Sequence, residues 1–521
     1  MSRRLLFLLA LIIVAISDSA THAQRDGDQP LVGPETEKRF PPLVVSEGFQ
    51  ATLFACDPLV EYPSVITIGP RPGTLFVAHD YMTGLGIEIV RRDEIRLISD
   101  TDEDGYADDS IVYADGFNSI QGLCFSDGSV YVMHAPFLTS LRDTDGDGIA
   151  DERRDLLAGL GLPPEENSNR LHCANGVVAG HDGWLYLALG DRGCDVERPE
   201  GDRLLFQEGG ILRCRTDGTD LHVFSSGLRN IYDVALDDEL NVFVRDNEND
   251  GGTYMIRVCH CFHGSDHGYP YHYIDRPDLA MPPLADLGRG SSAGVTSYLE
   301  TMFPGEFGES LYFCEWGRSV VRYHRERAGS SFAPMQEIDF AAGAPDDPYG
   351  FKPTDLVVDY DGSLVISDWC DGQRPKRGRA RIYRISTAGH DGPAESESPA
   401  QRAINLSNEE RIEQLNAPGY HLRLAAQLAL QADESGVADV ADAMSADRLS
   451  AHGRMHAVWV LSSGGAATDD LLALAENEPD PRVVVQIVRA VADLSDPVLL
   501  SDGIAAGRGD ARLAARLAEL A

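Results

Sequence analysis

Two stretches of this 521-residue chain place carboxylates at the spacing that wraps a cation. Asp100, Asp102, Asp104 and Asp108 form one, and Asp143, Asp145, Asp147 and Asp151 the other; both read D-x-D-x-D-G-x-x-D. Alternate carboxylates followed by a turn-forming glycine offer oxygen ligands to a hard cation, as in the first half of an EF-hand loop. Ile111 and Arg154 stand where a bidentate glutamate would complete such a loop. Structural calcium is therefore expected, the plain alternative being a solvated Asp-Gly turn. A different chemistry is offered by His172, whose side-chain type titrates near 6.5 and serves as a general base. Arg229 beside Asn230 suits an anion, because a planar guanidinium grips a carboxylate with two parallel bonds. Cys259, His260 and Cys261 have metal-ligand side chains, but on a strand the two thiols share one face and the imidazole takes the other. No shared ion is expected there.

The elements that would carry these groups repeat. A short apolar strand, a turn and a second apolar strand recur six times: Ser64 to His79, Gly122 to His134, Gly176 to Asp191, Asp233 to Asp246, Phe307 to Gly317 and Asp355 to Trp369. Turn centres at Gly73, Gly128, Gly183, Glu239, Glu309 and Gly362 fall about 55 residues apart, with one longer step before Glu309. A mainly β chain folded as a six-bladed propeller follows, with runs such as Ile95–Ser99, Gly210–Cys214 and Val320–Tyr323 completing four strands per blade. Phe49–Ala55 is expected to pair with Arg379–Arg384 and close the ring.

That topology sorts polar residues onto two faces. Residues just before each inner strand and just after each second strand share one mouth of the central channel. Asn118, the stretch from Asn169 to Asn175 with His172, Arg229, Asn230 and Lys352 fall there, as do His134, Asp191, Asp246 to Asp250, Glu315, Arg318 and Asp368. Convergent polar groups at such a mouth are the default site. The two Asp-rich loops fall on the opposite face, between third and fourth strands.

The ends of the chain read differently. Met1 to Arg4 is basic, Leu5 to Ile16 is unbroken apolar, and Thr21-His22-Ala23 suits a signal peptidase. The expected organisation is a signal peptide over 1–23, a linker over 24–42, the propeller over 43–386, a Pro/Ser/Glu linker over 387–404, and HEAT-like helical repeats over 405–521. Arg423, Arg454, Arg482 and Arg512 open similar Ala- and Leu-rich helices. A formal charge of −39 repels phosphate backbones, so nucleic acid is not an expected partner. Nine cysteines leave at least one unpaired. Cys173 with Cys194 is one pairing within reach, and free thiols are the other reading. No Cys-x-x-Cys-His occurs, which argues against haem attached to this chain.

Several of these segments resemble the soluble quinoprotein glucose/sorbosone dehydrogenases: Arg170-Leu-His172, Asn175-Gly176, His181 to Tyr186, Leu189 to Gly193, Gly227 to Asn230, and Gly268-Tyr-Pro270. Over residues 43 to 515 the chain looks more like a bacterial exported family of membrane-bound dehydrogenases, with Arg245 to Gly252 and Leu141 to Gly148 as signatures. The resemblance implies an exported propeller that oxidises a sugar or other alcohol with pyrroloquinoline quinone (PQQ) and calcium. It implies His172 as general base, Arg229 and Asn230 as quinone ligands, and Glu248 and Asn249 in a loop around cofactor-site calcium. The chain departs from the pattern where a quinone-binding lysine would stand, at Gly317 and Arg318, and where paired arginines would stand, at Lys352 and Thr354. Arg318 and Lys352 are the substitutes it offers. Electrons would leave to a separate cytochrome or quinone, and the helical repeats would serve a protein partner. Two other readings fit the same fold: a calcium-dependent lactonase or hydrolase built on Asp246, Asn230 and Glu315, and a non-catalytic binding propeller.

Overall fold

A computed structural model describes residues 32–81, 93–162, 172–247, 255–369, 379–390, 397–495 and 511–520. The stretch expected to be a signal peptide, together with Arg170, Leu171, Glu248, Asn249 and Cys370, lies outside the described residues.

The second strand of each blade explains the architecture. Thr74–His79 and Trp184–Leu189 are buried at every position, so both of their faces are covered. A short apolar run without alternation is what a strand sandwiched between neighbouring blades requires. Six blade sheets result among the described residues, each with an antiparallel four-stranded core; blades three and five each carry a fifth strand at the outer edge. The first two strands of the blades are Pro63–Ile68 with Thr74–His79, Ile120–Ser126 with Ser129–His134, Ala174–Ala179 with Trp184–Leu189, Ala235–Leu236 with Val242–Asp246, Ser292–Ser297 with Ser310–Glu315, and Pro353–Val358 with Leu364–Asp368. Blade six takes its outer strand from the start of the ring: Phe49–Cys56 pairs with Arg381–Thr387, Leu53 opposite Tyr383. The expected closure is formed, with the last strand running from Arg381 to Thr387 in place of Arg379 to Arg384.

Blade five corrects the sequence reading. Its inner strand is Ser292–Ser297, not the residues around Phe307, and the twelve residues between it and the second strand include a turn of 3-10 helix over Gly305–Phe307. Ser-Ala-Gly-Val-Thr-Ser carries almost no apolar signal, because this strand packs through small side chains: a Cβ on Gly294 would lie 2.2 Å from Asp355 Oδ1. The two Asp-rich loops join third to fourth strands of blades one and two, as expected.

Helices follow the ring, starting at Pro399–Asn405 and Asn408–Gln414 inside and just after the stretch expected as linker. Ser398 and Ser407 cap them, each with a reciprocal Gln401 or Glu410 bond. Tyr420–Ala432, Ala451–Ser463, Pro481–Ser495 and Ala511–Leu520 carry the four arginines near their starts. These helices pack on the face opposite the mouth. Gln427 Nε2 donates to the His181 carbonyl at 2.6 Å, His421 Nε2 contacts the Val358 carbonyl at 3.1 Å, and Trp184 Nε1 donates to Asp493 at 2.8 Å. Arg213 joins the same Asp493 carboxylate at 2.8 Å. No helix among the described residues is long and apolar enough to cross a membrane.

Candidate active site at the channel mouth

In a ring of six blades, equivalent positions can be compared, and blade three departs from blades one, four, five and six. Where the second strand reaches the mouth, Asp246 of blade four accepts the backbone N–H groups of Arg229 and Asn230 at 3.0 and 3.1 Å and pairs with Arg257 at 2.8 Å. Glu315 of blade five accepts from Ser291 N at 2.8 Å and pairs with Arg245. Asp368 of blade six accepts from Lys352 N at 2.9 Å. His79 of blade one accepts from Glu61 N through Nε2 at 3.3 Å. Each closes the entry of its own blade's first strand.

Blade three has Leu189 at that position and an acid two residues later. Asp191 Oδ1 faces His172 Nδ1 at 2.7 Å, and its Oδ2 accepts from Tyr269 Oη at 3.0 Å. Burial pushes the Asp191 carboxyl upward, but hydrogen bonds from His172 and Tyr269 and the Arg229 charge outweigh it and hold the group below its usual range. The Tyr269 hydroxyl is raised to about 12 by burial and by Asp191, with Arg229 beside it opposing. An ionised Asp191 accepts Nδ1–H, so the neutral tautomer of His172 that fits this bond carries its lone pair on Nε2. Among the described residues Nε2 makes no hydrogen bond. His172 is held at φ 62°, a left-handed conformation that a non-glycine residue adopts at a cost of about 1–3 kcal/mol. Tyr62 and Ser119, just before the first strands of blades one and two, share it, with φ 50° and 61°.

Gly190 makes the cluster compact. A Cβ there would lie 2.5 Å from the His172 backbone and 2.7 Å from Asn230 Oδ1, and Gly190 bridges directly to Asn230. Only glycine lets blade three approach blade four this closely. Asn230 Oδ1 in turn accepts from Asn175 Nδ2 at 3.0 Å. His172, Asn175, Arg229, Asn230, Asp191 and Tyr269 therefore form one group.

Arg318 and Lys352 do not join it. Arg318 turns to the outer strand of blade five, bonding Asp339 at 2.8 Å and also Glu337. Lys352 Nζ lies 4.5 Å from the centre of the Trp316 ring. Asp246 and Glu315 accept from backbone amides and pair with buried arginines. Sequence reasoning misses Tyr269 as a site residue; it arrives on a connection after Ser265–Asp266, which lies beside blade three, parallel to its outer strand. Asp191 is legible by position alone, as the acid after the second strand.

On the opposite face each Asp-rich loop brings three carboxylates together. Carboxylate oxygens of Asp100, Asp102 and Asp104, and of Asp143, Asp145 and Asp151, lie within 4.8 Å of one another in each loop. Asp143 accepts from the N–H groups of Gly146 and Gly148 at 2.7 and 2.8 Å, which pins the turn. Asp108 and Asp147 stand outside these groups: Asp108 is taken by Thr101 Oγ1 at 2.6 Å and Asp147 by Ile149 N at 2.9 Å. None of the eight described cysteines, Cys173 and Cys194 among them, is joined in a disulfide. Cys259 and Cys261 are both buried, and His260 stacks on Phe243.

Residues 35–373 match the family described as "Domain of unknown function (DUF7133)". The chain belongs to this DUF7133 family. No curated protein matches it. Among solved structures, it is similar to an oxidoreductase (glucose dehydrogenase) from Thermus thermophilus, with 19% identity, 65% of this chain and 100% of that chain covered, and a TM-score of 0.48. The PQQ-bound aldose sugar dehydrogenase of Streptomyces coelicolor shares 16% identity over 66% of this chain and 99% of its own, with a TM-score of 0.46. The PQQ domain of pyranose dehydrogenase from Coprinopsis cinerea shares 16% over 67% and 97%, with a TM-score of 0.48. At such identities a likeness concerns the fold alone.

Proposed function

We propose that this DUF7133 chain is an exported oxidoreductase that oxidises a hydroxyl group of a sugar or other alcohol, with His172 as the general base and PQQ as cofactor. The observation that carries the reading is the His172–Asp191 pair at 2.7 Å, the one place among the described residues of the ring where the mouth carboxylate orients an imidazole instead of closing its own strand. A base fixed by a carboxylate on Nδ1 presents Nε2 in the form that takes a proton, the arrangement general-base catalysis needs.

The residues present suit part of the implied cofactor. Arg229 supplies a cation and Asn230 an amide within the His172 group, so these two would hold a carboxylate and a carbonyl of PQQ; Arg318 takes no part. When bound, PQQ would supply the acceptor for the hydride leaving the substrate carbon. His172 takes the hydroxyl proton on Nε2, Asp191 stabilises the imidazolium that forms, and Tyr269 fixes the other oxygen of Asp191. Electrons then pass to a separate cytochrome or quinone. Calcium belongs to the two Asp-rich loops in this reading, where it braces blades one and two.

Titration of the purified protein with PQQ and Ca²⁺, followed by absorbance, and dye reduction with a panel of sugars and alcohols test it. His172→Gln and Asp191→Asn are expected to keep PQQ binding and lose at least about a hundredfold in turnover. Absence of PQQ binding together with unchanged behaviour of both variants in every assay refutes it.

A further inference from the structure

Below the mouth, the central channel holds a second chamber that the proposed chemistry does not use. Tyr232, just before the first strand of blade four, extends across the channel, and its hydroxyl donates to the Ser64 carbonyl of blade one at 3.1 Å. Beneath it lies a cavity of about 190 Å³ lined by the first strands of all six blades, with Tyr420 and His421 of the helical region at its far end. Two carboxylates face it, Asp233 from blade four and Asp355 from blade six, and Glu300 stands near the helical end. No lysine or arginine is among the lining residues.

We propose that this chamber is a cation site, holding a hydrated divalent ion between Asp233 and Asp355. Two buried atoms point to a missing occupant. Asp233 and Ser297 both line the chamber, and Asp233 Oδ1 and Ser297 Oγ have no hydrogen-bond partner, although Ser297 is only 6% exposed. Buried polar atoms are rarely left so, and an unsatisfied one costs about 1–3 kcal/mol. A proton shared by the carboxylates would relieve one charge but leave Ser297 Oγ unserved. An ion with its water shell serves both: at about 30 Å³ per water the chamber has room for roughly six molecules or an ion with part of its shell. Asp355 already spends one bond on each oxygen, to Ile66 N and Leu356 N at 2.8 Å, so it contributes remaining lone pairs, and Asp233, whose carboxylate the Val234 and Val295 backbone N–H groups also favour, contributes Oδ1. Without an ion both carboxyls are driven upward by burial, Asp233 also by Asp355, the cost an ion would remove.

The chamber is distinguished from the Asp-rich loops by exchange rate. Those loops are open to solvent, whereas an ion in the channel must pass Tyr232 or the helical region. The test uses the full chain carrying Asp102→Asn and Asp145→Asn, loaded with radioactive Ca²⁺ and chased with unlabelled Ca²⁺. One slowly exchanging equivalent per chain is expected, absent after the further change Asp233→Asn and weakened at least about tenfold by Ser297→Ala. Asp233→Asn keeps the side-chain shape and one acceptor oxygen while removing a buried charge that faces Asp355, so it is expected to fold and, in chelator, to melt no lower than its parent. Absence of a slow equivalent, or its persistence in Asp233→Asn with the fold intact by circular dichroism, overturns the proposal. Should Asp233→Asn not fold, an unchanged slow equivalent in Ser297→Ala overturns it.

Discussion

Acid should loosen the junction between the ring and its helices, and His181 is where to measure it. His181 lies just before the second strand of blade three and is buried against the helical region. Its ring packs on His456 with centroids 4.6 Å apart, and Tyr420 Oη lies 3.4 Å from its Nδ1. His456 Nε2 accepts from Arg423 Nε at 3.3 Å while its Nδ1 meets Gln427 Oε1 at 2.6 Å, so the ring is neutral and a second proton would face a guanidinium. Burial lowers His181 to about 3, Asp238 opposing and Arg423 and Arg489 adding; burial drives His456 down as well, with His181 and Arg423 adding. Because the folded value lies below the unfolded 6.5, the unfolded chain takes up the proton first, and stability present above pH 6.5 is lost as pH falls toward 3. Between pH 7.5 and 5 the loss from His181 alone is about 2 kcal/mol. His181→Phe keeps a ring and cannot titrate. It is expected to lose about 1 kcal/mol at pH 7.5, for the Tyr420 contact, and to show an acid loss smaller than wild type by about 2 kcal/mol. Urea unfolding followed by tryptophan fluorescence reads both, since Trp184 and Trp459 bond Asp493 and Gln486 near this junction. Equal acid losses in the two proteins would refute the linkage argument.

Asp493→Ala should cost about 3–5 kcal/mol in the same unfolding assay, because it strands Arg213 and Trp184 Nε1 at a buried interface. Gly190→Ala should destabilise by about 1–3 kcal/mol and disturb the mouth, read as an altered His172 imidazole resonance in NMR spectra. Chelation should lower the melting temperature, with Asp102→Asn and Asp145→Asn abolishing most of that response. If calcium is present at about a hundred times its dissociation constant, its removal is worth about 2.7 kcal/mol per site, readable by calorimetry.

The ring is legible because its second strands must be apolar on both faces, which leaves runs such as Trp184–Leu189 that nothing else explains. Blade five is misplaced by sequence because Ser292–Ser297 packs by being small, and smallness leaves no hydropathy signal. At the mouth, topology finds His172, Arg229 and Asn230 without any distance information, since strand direction alone brings such positions to one face. It does not reveal that Asp191 orients His172 through Nδ1, because that rests on Leu189 displacing the acid from the position its counterparts hold. Arg318 marks the limit of placement by topology: the right face does not settle which way a long side chain turns, and Glu337 and Asp339 on the outer strand draw it away. The docking of the helices is illegible, since pairs such as Trp184 with Asp493 and His181 with Gln427 join residues hundreds of positions apart and no local pattern announces them.

The seam in blade six, where Phe49–Cys56 lies against Arg381–Thr387, also fixes how mechanical load is carried. Tension applied at the two ends of the ring meets first at this one strand pair, where Phe49 and Thr387 lie opposite each other at the same end, so its bonds are peeled one by one. The ring is thus fastened like a belt at its buckle, and the helices hang from the buckle's free end. A chain recut in the loop after Ser126 and joined across the present seam would have its fastening moved to blade two while keeping every blade.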